Sequence, residues 1–204
     1  MIDLYAGPTS NSMRARIGLE ECGLAYKLHP IDLSKGEQKT PQFLAMNPNG
    51  AVPVIVDPEG PGGKKVTLSQ SAAILLYVAE KTGKFLPKDP AARPVFLQAL
   101  MSTCTDVTPT LGTVFGIIRG KDPHAPTAEA FKTRLKAYFK VWDDALGKHK
   151  YAAGNEVTVA DFSLYAGYVR AKGVVPETCE GFPNLDRWAK EMAARPATQR
   201  AVTF

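Results

Sequence analysis

The sequence predicts two regions in series, a small mixed α/β domain followed by an all-helical one. Three observations carry this. The strand-like runs IDLYAG, AYKLHPIDL, AVPVIVD and VTLS all lie before residue 70. Prolines then gather at Pro87, Pro90 and Pro94, as expected of a linker. After Val95, apolar residues recur only at helical spacing. The chain has 204 residues, enough for two modest cores, and its 45% hydrophobic and 22% charged composition is that of a globular protein.

The elements follow in order. Ile2 and Tyr5 favour a first strand, GPTSNS supplies turn and cap residues, and Met13 to Cys22 reads as a helix stopped by Gly23. A second strand follows in AYKLHPIDL. Between Ser34 and Gly50 the chain is polar, with one apolar helical turn at Phe43-Leu44. Val54, Ile55 and Val56 form a buried strand, PEGPGG a loop, and VTLS its antiparallel partner. A helix opens around Ser69-Gln70-Ser71 and runs to Gly83. The order is βαβ then ββα, whose parallel pair needs the crossover helix.

Residues 1–84 are thus assigned to the first domain, 85–94 to the linker and 95–204 to the helical domain. Within the last, one run spans Val95 to Arg119 with a kink expected at Pro109, and a second helix spans about Thr127 to Leu146. Thr158-Val-Ala-Asp161 is a capping box opening a helix to about Lys172. A final helix covers Leu185 to Ala194, before Pro196.

Composition excludes several functions. The net charge of +5 lies mostly after residue 85. Acidic Glu129, Asp143 and Asp144 flank the basic residues Lys132, Arg134, Lys136 and Lys140, so this is a solvated helix face and no nucleic-acid partner is expected. No run of about 18 apolar residues occurs, and MIDLYAGPTS has neither a basic n-region nor an apolar h-region, so a cytoplasmic protein with no membrane partner is expected. Cys22, Cys104 and Cys179 lie far apart and form no CxxC, while His29, His124 and His149 share no ligand spacing. No metal site is expected.

Two places carry chemistry. Pro53 cannot donate to a sheet ladder, so it is either the first residue of its strand or follows a cis bond that turns the Val52 N–H and C=O outward to pair with an extended peptide. The residues alone leave both readings open. Ser69-Gln70-Ser71 lies where a strand gives way to a helix, whose unpaired N–H groups and dipole favour a carboxylate, with the Ser71 hydroxyl as a further donor. A serine such as Ser69 also serves as a plain helix cap.

Taken together, NPNGAVPVIVD, SQSAAILLYVAEKTG, NEVTVADFSLY and FPNLDRWAKEMAARP, in this order and spacing, resemble the glutathione transferase superfamily over essentially the whole chain. The resemblance implies a thioredoxin-like first domain, an all-helical second domain, glutathione as co-substrate and a homodimer with Phe96, Met101 and the linker near the contact. By position it implies that Val52, beside Pro53, pairs with the cysteinyl part of glutathione and that Gln70 and Ser71 hold the γ-glutamyl carboxylate. It places Gln38 or Lys39 at the glycyl end. Ala51 stands where many members have a lysine.

The same resemblance makes Pro8 to Ser12 the loop that activates the glutathione sulfur. The reaction needs a donor that favours thiolate over thiol. Tyr5 is not placed like the catalytic tyrosine of the mammalian classes, and the loop lacks the cysteine of the beta and omega classes. Aligning Arg14 with the arginine of S-x-P-C-R gives Ser10 the theta and delta serine role. Aligning DLYAGPTSN and KGEQ with the bacterial Nu class gives Thr9 and Asn11 that role, and this alignment is preferred. The implied enzyme transfers the thiolate to a small-molecule electrophile or reduces a disulfide, with the electrophile over Met13, Phe115, Ile118 or Arg119. The alternative is a non-catalytic glutathione-binding or structural protein of the same fold.

Overall fold

The computed structural model describes residues 1–121 and 123–203, which divide into two compact units, Met1–Lys84 with Arg195–Phe204, and Phe85–Ala194. In the first, strands β1 (Ile2–Ala6), β2 (Tyr26–Pro30), β3 (Val54–Asp57) and β4 (Val66–Ser69) form a sheet of order β2-β1-β3-β4. β1 and β2 are parallel, and β3 is antiparallel to both β1 and β4. Helices α1 (Ser10–Cys22), α2 (Pro41–Met46) and α3 (Ser71–Thr82) complete the predicted βαβ-ββα order. This is the thioredoxin-like arrangement.

Alternation along β1 builds the core. Ile2, Leu4 and Ala6 are buried on one face. Tyr5 on the other joins Ile31, Leu33 and Met46 around the buried trio Phe43, Val52 and Val54. α1 and α3 pack closely at Gly18, where an added Cβ would lie 2.7 Å from Leu75 Cδ2. Gly23 ends α1 in the left-handed conformation at φ 73°, the stop read from sequence.

The second unit is helical, with α4 (Arg93–Ser102), α5 (Thr108–Ile118), α6 (Ala125–Lys148), α7 (Val159–Val174) and α8 (Pro183–Ala193). The helix ends expected at Thr127, Leu146, Lys172 and Leu185 each move by one or two residues, the ordinary uncertainty of a frayed terminus. The break expected at Pro109 is spread over a π-helical turn, Thr103–Val107, just before it. A proline has no N–H for the carbonyl four residues back, here that of Thr105, and in the wider turn before it Thr108 gives both its N–H and its Oγ1 proton, the latter at 2.6 Å, to the Thr103 carbonyl.

Two buried aspartates organise this unit. Asp161 accepts from Ala152 N at 2.8 Å, Thr158 N at 2.9 Å, Thr158 Oγ1 at 3.2 Å and Trp188 Nε1 at 3.0 Å, the capping box read from sequence enlarged into a hub. Burial pushes its carboxyl up, and the four donors pull it back toward the charged form. Asp143, on α6, accepts from Asn184 N and Leu185 N and so caps α8.

Three expectations need correction. Pro94 lies in the first turn of α4, where its missing N–H costs nothing, so the linker is shorter than drawn. A helix follows Pro196, α9 (Pro196–Ala201), again with proline in the first turn. It packs on α1 in the first unit: Arg195 holds Glu21 with two bonds of 2.7 and 2.6 Å, Arg200 holds Glu20, and Arg16 donates to the Arg200 and Thr203 carbonyls. Finally, Phe96 is fully buried in its own chain and is no surface contact, whereas Val95 and Met101 are exposed.

Candidate functional site

The registers of the first unit bring the predicted site residues to one end of its sheet. Val54 pairs with Tyr5 on one side and Ser69 on the other. Val52-Pro53 therefore enters the sheet between Tyr5, which leads through Ala6-Gly7 into the Pro8 to Ser12 loop, and Ser69, which leads into Gln70-Ser71. The Val52-Pro53 bond is cis, the second of the two readings left open by the sequence. Among the described residues no protein group bonds the Val52 backbone N–H or carbonyl.

The start of α1 divides its hydroxyls between structure and surface. Thr9 is the N-cap. Its Oγ1 accepts from Ser12 N at 3.1 Å and donates to Ser12 Oγ at 3.0 Å, so its one proton is committed inside the loop. Ser12 is fully buried and accepts from Gly7 N at 3.3 Å. Ser10, the first helical residue, is half-buried with no partner among the described residues. Asn11 Oδ1 accepts from Arg14 Nη1 at 3.0 Å and from Ser71 Oγ at 3.5 Å, which joins the first turns of α1 and α3.

The start of α3 is open. Ser69 pairs with Val54 as the last residue of β4 and is therefore no cap. The N-cap is Gln70, whose side chain makes no cap bond and whose backbone sits at φ 71°, ψ 111°. That conformation costs a non-glycine residue roughly 1–3 kcal/mol and persists only where its surroundings demand it. The Gln70 side chain is exposed, while Ser71 is 8% exposed and faces Asn11.

Gln38 and Lys39 come from the loop after β2. Asp32 shapes that loop: its Oδ1 accepts from Ser34 Oγ at 2.6 Å, Ser34 N and Lys35 N, and the serine contacts bring its carboxyl down to about 2. Glu37 Oε2 accepts in turn from Asp32 N at 2.7 Å. Lys39 lies over Gly50 and donates to the Asn49 carbonyl at 3.2 Å. Gln38 Oε1 is buried without a hydrogen-bond partner among the described residues, an acceptor waiting for a donor.

Other groups are occupied elsewhere. Tyr5 stacks on His29 at 4.5 Å, and His29 Nε2 meets Asp3 at 2.7 Å. Burial raises the thiols of Cys22 and Cys179, the latter to about 11. In the second unit, the guanidinium groups of Arg119 and Arg170 lie 4.7 and 5.0 Å from the centre of the Phe115 ring. No metal-binding cluster of His, Cys, Asp or Glu occurs among the described residues, and no described helix is long and apolar enough to cross a membrane. Arg14, only an alignment anchor in the sequence, is 1% exposed and touches the site through Asn11. Its signal was the three-residue spacing from Asn11 on a helix.

A thioredoxin-like unit with an open peptide edge and two adjoining helix starts, next in sequence to a helical unit, defines a class of glutathione-handling folds. A model described as "Glutathione S-transferase, N-terminal domain" matches residues 9–81, and one described as "Glutathione S-transferase, C-terminal domain" matches residues 102–196. The disulfide-bond oxidoreductase YfcG of Escherichia coli is 33% identical over 204 residues, which cover 99% of this chain and 94% of that protein. The chain belongs to the glutathione S-transferase family. A solved glutathione transferase family member from Pseudomonas fluorescens, with two glutathione bound, superposes with a TM-score of 0.91 at 32% identity over 98% of this chain and 92% of that one. A glutathione transferase from Pseudomonas putida, with one glutathione disulfide bound per subunit, gives 0.91 at 30% identity over 100% and 91%.

Proposed function

We propose that this protein binds reduced glutathione in its first unit and uses the thiolate to reduce small disulfides or to attack small electrophiles, as a cytoplasmic, Nu-like homodimeric enzyme. The observation that carries the reading is the Asn11–Ser71 contact, which sets a sulfur-activating loop against an uncapped helix start. The solved relatives with two glutathione, or with glutathione disulfide, support the disulfide branch. So does the name of the E. coli relative.

Each residue has a role in this reading. The Val52 N–H and C=O pair with the cysteinyl backbone beside Pro53. Ser71 Oγ, the exposed Gln70 amide and the unpaired N–H groups of α3 take the γ-glutamyl carboxylate, with the helix dipole in support. Gln38 Oε1 accepts from the glycyl N–H, and Lys39 supplies positive charge for the glycyl carboxylate. With the Thr9 proton given to Ser12, Thr9 shapes the loop, and Asn11 Nδ2 is the leading donor to the sulfur with Ser10 beside it.

No protein thiol is needed. One glutathione thiolate attacks the disulfide, forms a mixed disulfide and expels a thiolate; a second glutathione thiolate attacks the mixed disulfide, releasing glutathione disulfide and the other thiolate. Holding both sulfurs in line is the enzyme's contribution. Turnover of bis(2-hydroxyethyl) disulfide with glutathione, compared with conjugation of chlorodinitrobenzene, tests this. Disulfide turnover is expected to dominate. Binding of glutathione without turnover of either would leave a non-catalytic binding protein.

A further inference from the structure

We infer that Arg14 is a positioning residue that fixes the Asn11 carboxamide so that its NH2 group, and not its oxygen, is presented to the glutathione sulfur; this rests on the proposed function above. A guanidinium has only donors, so the Asn11 atom 3.0 Å from Arg14 Nη1 is the carbonyl oxygen. Ser71 Oγ donates to the same oxygen at 3.5 Å. Both lone pairs are thereby taken and the NH2 is turned the other way. Among the described residues no protein acceptor receives it.

The two holds on Asn11 are unequal once a peptide is bound. A serine hydroxyl has one proton. When Ser71 gives it to the γ-glutamyl carboxylate, it no longer donates to Asn11, whereas Arg14, 1% exposed and permanently charged, keeps its grip. Were the amide to turn over, its oxygen would face the thiolate and its NH2 would meet the guanidinium, pairing like with like at both ends. Arg14 thus acts on the sulfur through Asn11, by fixing which end of the amide meets it. The effect belongs to thiolate stabilisation and leaves peptide affinity alone.

The test uses the full chain. S-methylglutathione binding reports the peptide clamp, and the pH profile of kcat/KM with bis(2-hydroxyethyl) disulfide reports the bound thiol. R14Q is expected to bind S-methylglutathione within about threefold of wild type, to lose about tenfold in kcat/KM at pH 7 and to recover as pH rises, because the thiol ionises later. R14K, which keeps a cation and a donor, is expected to restore most of the loss. R14Q placed in an N11A background should add nothing, since its route is gone. An unchanged pH profile in R14Q, or an equal loss in the N11A background, overturns the inference. Failure of wild type to bind S-methylglutathione overturns the function itself. Should the buried substitutions fail to fold, the side-chain 15N–1H2 resonance of Asn11 in wild type decides: it is expected to move as bound glutathione titrates, and a resonance indifferent to that titration contradicts the account.

Discussion

The starts of α7 and α3 show how one structural device serves two ends. At α7 the start is closed: Asp161 takes two backbone amides, a hydroxyl and an indole, and the Val159 and Asp161 amides are given to the Phe85 and Thr158 carbonyls. At α3 the N-cap side chain makes no cap bond, the backbone is held at φ 71°, and the first hydroxyl faces Asn11 in the first turn of α1. A closed helix start is architecture. An open one, kept open at a cost in backbone strain, suits the carboxylate proposed for it.

Breaking the closed start is expected to have the largest effect. D161A leaves the Trp188, Ala152 and Thr158 donors buried without an acceptor and should destabilise by about 4 kcal/mol or more in urea unfolding. A loss under about 1 kcal/mol would reduce Asp161 to a simple cap. Asp57 is a second closed acid: burial raises its carboxyl, but Lys81 at 2.8 Å, Tyr77 Oη at 2.6 Å and Glu59 N outweigh burial and hold it below the usual carboxylate range. A folded value below the unfolded one, about 3.9, gives stability that is present above the unfolded value and lost as pH falls through the folded one. D57N should therefore cost about 2 kcal/mol at pH 7, and its unfolding curve should converge on wild type in acid.

The open start responds differently. S71A should weaken S-methylglutathione binding roughly tenfold by calorimetry while moving stability by less than about 1 kcal/mol. The reverse pattern would make α3 another closed start. Smallest is K140A, which removes the exposed Lys140–Asp144 pair on α6 and should shift unfolding by less than about 0.5 kcal/mol.

Local patterns made the frame legible. Gly23, the T-V-A-D box and the alternation of IDLYA carry their structural meaning within a few residues. Where the sequence misled, the deciding partner was distant. Ser69 cannot cap α3 because Val54, fifteen residues earlier, holds it in a ladder. Pro196 reads as an end, yet proline suits a first turn, and Glu20 and Glu21 on α1 supply the charges that hold α9. At the site, the residues were legible as types, and the arrangement was not. That Thr9 spends its proton on Ser12, and that Asn11 is oriented by a buried arginine, are facts of side-chain geometry that no spacing reports.

The central claim is that the adjoining starts of α1 and α3 clasp glutathione. Calorimetric titration of the folded wild-type chain with reduced glutathione tests it most directly, with S71A as the paired variant. Saturable binding with a Kd below about 1 mM, roughly tenfold weaker in S71A, is predicted. Absence of binding up to about 10 mM, or identical affinity in the two proteins, would contradict it.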